Sequence, residues 1–218
     1  MDMHMLATAY GYLGRHAEAL KLHEETLELR RAKLGADHHD TLQSMASVAG
    51  SYYGLRRAAE ALAIYEQTLA LRKARLGPTH PDTLKNMGSV ANCYDALGRH
   101  AEGLKLQEET LALMKAKLGQ DHPDTLHVMG NVGICYGKAG RHADALKLQE
   151  ETLALKRAKL GPYHPNTLKT MDWLACSYGN AGRDAEHIRL HEEVLALRKA
   201  KLGPDHPDTL KCMDIVAV

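Results

Sequence analysis

The chain has 218 residues, and its charges almost cancel, with 28 Lys and Arg against 27 Asp and Glu for a formal net charge of +1. This balance gives no electrostatic reason to expect a nucleic acid or an anionic membrane surface as a partner. No segment approaches the roughly 18 consecutive apolar residues of a membrane span, and the start lacks the pattern of a secretory signal, so we expect a cytoplasmic protein.

One segment of 42 residues recurs five times along the chain. Leu34-Gly35 returns as Leu76-Gly77, Leu118-Gly119, Leu160-Gly161 and Leu202-Gly203. A fixed period of about 20 to 50 residues indicates a stacked repeat protein, in which a copy cannot bury its apolar face without a neighbour. We therefore predict a single repeat domain over residues 1–218, with copies at approximately 1–39, 40–81, 82–123, 124–165 and 166–207 and a partial extra helix at 208–218.

The first helix of each copy, named helix A, has one apolar face. In the second copy, Leu42, Met45 and Val48 begin an i, i+3, i+7 pattern. An Asp or Asn is predicted to cap the free N–H groups at its start. The histidine two residues earlier, His38 in this copy, is interpreted as bracing the turn before that cap. The predicted caps are Asp40, Asp82, Asp124, Asn166 and Asp208.

The second helix, named helix B, is predicted over His16–Leu34 and the equivalent residues of the other copies. Its apolar arc is about 180° wide, so it should contact the helix A of its own copy and the one that follows. Gly35 and its equivalents end the helix, and short glycine turns join A to B as antiparallel hairpins. Charged residues fill the outer arc, with i,i+4 pairs predicted at Lys21–Glu25, Lys105–Glu109 and Lys147–Glu151.

These elements resemble a known repeat family. Positions that match the tetratricopeptide repeat pattern are Val48-Ala49, Tyr52, Ala61, Tyr65 and Leu69. The connector LGPxHPxTL, as at 76–84, resembles that of the 42-residue variant found in kinesin light chains. The resemblance implies an all-α, right-handed superhelical solenoid of antiparallel helix hairpins. It also implies a scaffold that binds a peptide or protein segment along the concave helix A surface.

The candidate groove residues lie on the variable side of helix A, opposite its packed stripe. A concave solenoid surface is the usual binding surface of such arrays. The resemblance to kinesin light chains also implies paired asparagines in this groove, and Asn131 is one residue at such a position. The candidates are Gln43, Ser47, Lys85, Ser89, Asn92, His127, Asn131, Lys138, Lys169, Trp173 and Asn180.

Catalytic and metal chemistry are not indicated. The sequence has no glycine-rich phosphate loop, GxSxG elbow or HExxH helix. A zinc site needs three or four ligands around one ion, whereas the loop histidines come one per copy, with a transient metal contact at His38-His39 as the exception. We therefore expect neither an enzyme nor a bound metal or cofactor. The four cysteines lack CxxC spacing and are interpreted as reduced.

Two functions stay open at this stage. One is the interaction scaffold, in which Trp173 contacts a partner; the other is a structural spacer or self-stacking module without a ligand, in which Trp173 only fills a gap. The near identity of the copies favours the spacer, and the variable helix A residues favour the scaffold. Met213, Val216 and Ala217 repeat an internal packing surface at the C-terminal end, which predicts head-to-tail or helix-exchanged self-association.

Overall fold

The computed structural model describes residues 3–216, with the side chains of residues 4, 215 and 216 outside that description. This part of the chain contains α-helices, turns and bends and no strand. Odd-numbered helices are the predicted helix A segments and even-numbered helices are helix B. The helices are α1 (Met3–Tyr12), α2 (His16–Leu34), α3 (His39–Gly54), α4 (Ala58–Leu76), α5 (Pro81–Ala96), α6 (His100–Leu118), α7 (Pro123–Lys138), α8 (His142–Leu160), α9 (Pro165–Asn180), α10 (Asp184–Leu202) and α11 (Pro207–Val216).

The chain divides into two compact units, Met1–Leu113 and Met114–Val218, with the boundary inside α6. In the first unit, α2 packs on both α1 and α3, and α4 packs on both α3 and α5. In the second, α8 packs on both α7 and α9, and α10 packs on both α9 and α11. Each of these helix B segments therefore contacts two helix A segments, as its broad apolar arc predicts. The single-domain organisation stays a prediction.

The buried side chains of each hairpin are leucines, methionines and small residues. On α3, Leu42 and Met45 are 1% and 2% exposed, and Met171 of α9 is fully buried. Leu111 and Leu153, at equivalent positions of two helix B segments, are also buried. Because burying a Leu or Met side chain contributes about 1.5 to 3 kcal/mol, these contacts are the main stabilising term within each hairpin.

The helix A segments are capped by histidine, so the prediction of Asp and Asn caps is wrong. Nδ1 of His80 accepts a hydrogen bond from the backbone N–H of Asp82 at 3.2 Å, and Pro81 is the first helical residue. A proline disfavours helical dihedrals in the residue before it, so that residue takes the extended conformation of a cap. The equivalent histidines accept in the same way: His38, His122, His164 and His206.

A tyrosine, an arginine and a glutamate close the turn from helix A to helix B. In the second hairpin, the guanidinium of Arg57 lies 4.6 Å from the ring centroid of Tyr52. Nε of Arg57 donates to Glu60 at 2.8 Å, and this hydrogen bond lowers the pKa of Glu60. The Tyr52 hydroxyl donates to Glu24 of the preceding helix B at 3.0 Å. The network therefore links the turn of one hairpin to its neighbour.

Arg56 occupies a turn position that suits glycine. Its φ is 63°, whereas the equivalent residues Gly14 and Gly98 have φ of 74° and 76°. A left-handed conformation costs an L-residue about 1 to 2 kcal/mol of stability. Glycine avoids this strain, but its more flexible unfolded state offsets part of the gain. We expect Arg56→Gly to raise the free energy of unfolding by about 0.5 to 1 kcal/mol in urea titrations. The reciprocal Gly98→Arg should lower it, and equal stability of all three proteins would contradict this account.

Two of the predicted i,i+4 pairs on helix B are replaced by pairs between helices. The carboxylate of Glu109 lies 3.7 Å from Nζ of Lys73 on the preceding helix B. Glu151 lies 3.1 Å from Nζ of Lys115. The prediction failed because spacing along one helix does not show which side chains of the neighbouring helix B come within reach, and those contacts depend on how the helices pack. Such exposed pairs contribute at most about 1 kcal/mol each.

The predicted self-association surface is described only in part. Met213 is half-buried, whereas the side chain of Val216 and the whole of Ala217 lie outside the described residues. Self-association through the repeat ends therefore stays a prediction. Along residues 3–216, no helix is both long and apolar enough to cross a membrane.

Candidate functional site

The eleven candidate groove residues lie on four helix A segments, and none of them is buried. The first unit holds five of them, on α3 and α5, and the second holds six, on α7 and α9. Lys85, Asn92, His127, Lys138, Lys169 and Asn180 are exposed, and the other five are half-buried. The helix A face therefore keeps its polar side chains accessible.

In the first unit, some of these candidates are engaged with their own surroundings. The hydroxyl of Ser47 donates to the carbonyl oxygen of Gln43 at 3.1 Å, and that of Ser89 donates to the carbonyl oxygen of Lys85 at 3.3 Å. Oε1 of Gln43 accepts from Nη2 of Arg72, a buried arginine on α4, at 3.1 Å. The Lys85 ammonium and Asn92 are exposed. This face thus offers isolated polar groups rather than a convergent set.

In the second unit, the structure brings Lys169 and Trp173 of α9 together. Nζ of Lys169 lies 4.8 Å from the centre of the Trp173 ring, a cation–π contact. A Cβ atom placed on Gly130 of α7 would lie 3.5 Å from Cζ3 of the same ring, so the indole edge packs beside that glycine. Lys138 and Asn180 are the last residues of their helices, and Asn180 is roughly 16 Å along the axis from Lys169. Those two are not part of this cluster.

Lys156 of α8 is a buried cation at the same place. Its side chain is 7% exposed. Its Nζ lies 4.0 Å from the Cβ atom that would be placed on Gly130, the same glycine against which the Trp173 ring packs. Nζ donates to Oγ1 of Thr170 at 2.8 Å, and no carboxylate within 4 Å pairs with it among the described residues. Burial, and then the charge of Lys169, lower the pKa of Lys156. A buried ammonium normally has an acidic partner.

Sequence reasoning missed Lys156, although a signal for it exists. The equivalent residue of the first copy is Arg30, seven residues after His23 and four after Thr26. Both of those residues are buried, so the spacing places Arg30 in the buried arc of helix B. Basic residues recur at this position in four of the five copies, and Met114 stands in the third. A charged residue at a buried helical position indicates an ion pair, a binding site, or hydrogen bonds to neutral acceptors such as those that Arg72 makes.

The acidic side chain nearest to this cluster in sequence is already paired. Oδ2 of Asp172 on α9 lies 2.5 Å from Nη2 of Arg198 on α10. Lys169 has the basic equivalents His127 on α7 and Lys211 on α11. The helix A face of the second unit therefore combines the exposed ammonium groups of Lys169 and Lys211 with a half-buried aromatic ring. Within the described part of the chain, no three His, Cys, Asp or Glu side chains are placed to hold a metal ion.

Comparison with protein families agrees with this repeat architecture. The family model of the tetratricopeptide repeat matches residues 2–74, 46–102 and 88–158, and a second model of the same description matches 167–208. The chain belongs to the tetratricopeptide repeat family. No curated protein matches the sequence at a significant level.

Among solved structures, this tetratricopeptide repeat protein is similar to kinesin-light-chain-like repeat proteins. A protein of Podosopora anserina assigned as a kinesin light chain, with nearly identical TPR-like repeats, is 28% identical with a TM-score of 0.81. The match covers 91% of this chain and 94% of that one. BtubC (BKLC) of P. vanneervenii is similar in fold, at 16% identity and a TM-score of 0.76 over 90% of this chain and 80% of that one. The predicted all-α repeat fold is thereby confirmed.

A third solved structure has the same fold. It is a Rap protein complexed with competence and sporulation factor, 11% identical with a TM-score of 0.70. The match covers 99% of this chain and 63% of that one. At this identity the likeness concerns the fold alone. Tetratricopeptide repeat proteins are in general scaffolds for protein–protein interaction, and the fold by itself does not specify the partner.

Proposed function

We propose that this protein is a non-catalytic interaction scaffold whose helix A face binds a segment of a partner protein. The observation that carries the proposal is Lys156, a buried ammonium that lies beside Lys169 and Trp173 and has no carboxylate partner in the described part of the chain. A carboxylate of the bound segment would pair with the two ammonium groups, and an apolar side chain would pack on the indole ring. The segment is therefore acidic at this point.

The energetics favour a ligand at this place. An uncompensated buried charge lowers the stability of the free protein, and a bound carboxylate removes that penalty in a site of low dielectric constant. Aromatic residues are enriched among the residues that dominate binding energy, and Trp173 is the single tryptophan of the chain. Lys211 extends the positive charge to α11, the neighbouring helix A segment. Further acidic side chains of the bound partner segment would then lie close to positive charge on this protein.

The structural spacer without a dedicated ligand is the second candidate. The near-identical copies favour it, since a spacer needs the same hairpin each time. Lys156 and Trp173 argue against it, because an inert hairpin needs neither of them: Met114 of the third copy stands at the position of Lys156, and Asn131 of the fourth copy at that of Trp173. We also propose that the scaffold is cytoplasmic. The thiols of Cys93 and Cys212 are buried and form no disulfide, which is compatible with a reducing compartment.

A selection of random peptides tests the scaffold against the spacer. Phage-displayed 12-residue peptides would be selected on the whole protein at low ionic strength, and enriched sequences would be synthesised and titrated while Trp173 emission is followed. We expect enriched peptides with Asp or Glu at a fixed position and a change in emission on binding. Affinity should fall about tenfold to a hundredfold in Lys156→Met, as for truncation of one partner of a buried charge pair.

Lys147→Met is the matched control, because Lys147 is an exposed lysine on the same helix. It should leave the affinity within about twofold. The spacer predicts no enrichment at all. Enriched peptides that lack acidic residues, or that bind Lys156→Met and the parent equally, would refute the acidic segment as ligand.

A further inference from the structure

The fifth hairpin, α9 with α10, contains two histidines in contact. His187 and His191 are four residues apart on α10, and their ring centroids lie 4.7 Å apart in an edge-to-face arrangement. In the other copies, alanine or glycine stands at the first of these positions. In the fourth copy the two positions hold Ala145 and Gln149. The histidine pair is therefore a feature of this hairpin alone.

The two rings are held in different ways. Nδ1 of His187 lies 2.8 Å from the carbonyl oxygen of Ala175 on α9. Because a carbonyl oxygen only accepts, this nitrogen carries the hydrogen and donates. His191 is 3% exposed, and neither of its ring nitrogens has a hydrogen-bond partner among the described residues. The buried His191 ring thus lacks the acceptors that a protonated imidazole, with two N–H donors, requires.

Of the charged and titratable groups described around His191, the Asp172 carboxylate favours the protonated ring, but its effect is smaller than that of burial and of His187. These groups are Asp172 on α9, His187 and Arg198 on α10, and Cys212 on α11. The Asp172 carboxylate is occupied by Arg198, and Cys212 is a buried thiol whose pKa is raised by burial. Burial first, and His187 second, lower the pKa of His191. A protonated His191 ring would therefore be buried close to a second histidine and an arginine, both of which disfavour its charge.

We propose that the His187–His191 pair makes the fifth hairpin an acid-sensitive element, which opens locally below about pH 6.5 while the preceding hairpin stays closed. Opening separates α10 from α9, the helix that carries Trp173. Mild acid thereby alters the face on which that residue lies. The element is independent of whether the face binds an acidic segment.

The direction and the size of the effect follow from proton linkage. An unfolded histidine titrates at about 6.5, and above this pH the His191 ring is neutral in both the closed and the open hairpin, so the closed state has its full stability. Below it the open state binds a proton that the closed state, with its lowered pKa, does not. Stability is therefore lost as the pH falls. For one histidine, the opening equilibrium rises by up to about tenfold per pH unit.

Hydrogen–deuterium exchange of the full chain tests the proposal. We compare the parent with His187→Ala/His191→Gln, which gives α10 the residues that α8 already accommodates. Between pH 7.5 and 5.5, protection of α10 amides should fall about tenfold in the parent relative to the variant, since comparison at each pH cancels the intrinsic pH dependence of exchange. Protection of α8 should be the same in both proteins. Trp173 emission should shift with pH in the parent alone.

The element does not exist if α10 keeps equal protection in parent and variant at pH 5.5, or if the parent loses protection equally in α8 and α10. His191→Gln alone carries the same test if the double variant does not fold. It should remove most of the pH-dependent loss in α10, because the ring nitrogens of His191 have no hydrogen-bond partner in the part of the chain that the structure describes.

Discussion

Replacing Lys156 with methionine is expected to raise the free energy of unfolding by about 1 to 3 kcal/mol. The side chain is 7% exposed and its ammonium has no carboxylate partner among the described residues, so the folded state bears a desolvation cost that methionine removes. Met114 is buried at the equivalent position of the preceding copy, so an unbranched side chain fits there. The Thr170 hydroxyl keeps its hydrogen bond to the carbonyl oxygen of Asn166, at 2.9 Å.

Urea titration measures this gain, with the exposed Lys147→Met as a control that should stay within about 0.5 kcal/mol. The difference in stability between Lys156→Met and the parent should become smaller as the pH rises toward about 10.4, the pKa of a lysine in the unfolded chain. The pKa of Lys156 is lowered in the folded state, so the folded protein releases this proton first and the cost of the charge disappears. A less stable Lys156→Met protein would mean that the ammonium stabilises the hairpin, and the case for a missing carboxylate would fail.

Replacing Leu153 with alanine is expected to lower the free energy of unfolding by about 2 to 5 kcal/mol. Leu153 is 6% exposed and belongs to a cluster of buried residues that includes Met171, Leu174 and Leu190. The substitution removes three carbon atoms from contacts made by α8, α9 and α10, and a cavity remains because the helices relax only in part. Urea titration followed by circular dichroism gives the change.

The matched control is Leu29→Ala, since Leu29 is 53% exposed on another helix B. It should change stability by less than about 1 kcal/mol. In a repeat array each copy contacts only its neighbours, so hydrogen exchange in α2 and α4 should be less affected by Leu153→Ala than exchange in α8 and α10. A midpoint that does not move would show that the cluster around Leu153 does not stabilise this hairpin.

The periodicity of the sequence was sufficient for the helices and their partners. Helix B was predicted over His16–Leu34, and α2 has these bounds. Gly35 ends it with φ of 93°, a backbone conformation that glycine adopts without a steric penalty. The broad apolar arc of helix B also predicted its contacts with two helix A segments. These features depend on residues close together in one copy, and the five copies repeat the evidence.

The capping histidines show how a local signal can be read wrongly. His80 caps α5, although Asp82 is the residue type usually found at that position. The correct reading was available from Pro81, because the residue before a proline is extended and proline favours the first helical position. The prediction was wrong because it relied on the preference of Asp for the cap position and did not use the backbone conformation that the proline imposes. It moved the helix start by two residues and left the fold unchanged.

The sequence by itself determined the repeat, the hairpins and the accessible face of helix A, because hydrophobic period and turn chemistry act over a few residues. Only the tertiary structure decided that Lys156 lies beside Trp173 without a carboxylate partner among the described residues, and that the ring nitrogens of the buried His191 find no hydrogen-bond partner there. Charge compensation depends on every side chain that surrounds a group, including those of neighbouring helices. Spacing along the chain shows which residues share a helical face, whereas packing shows which charges stay unpaired.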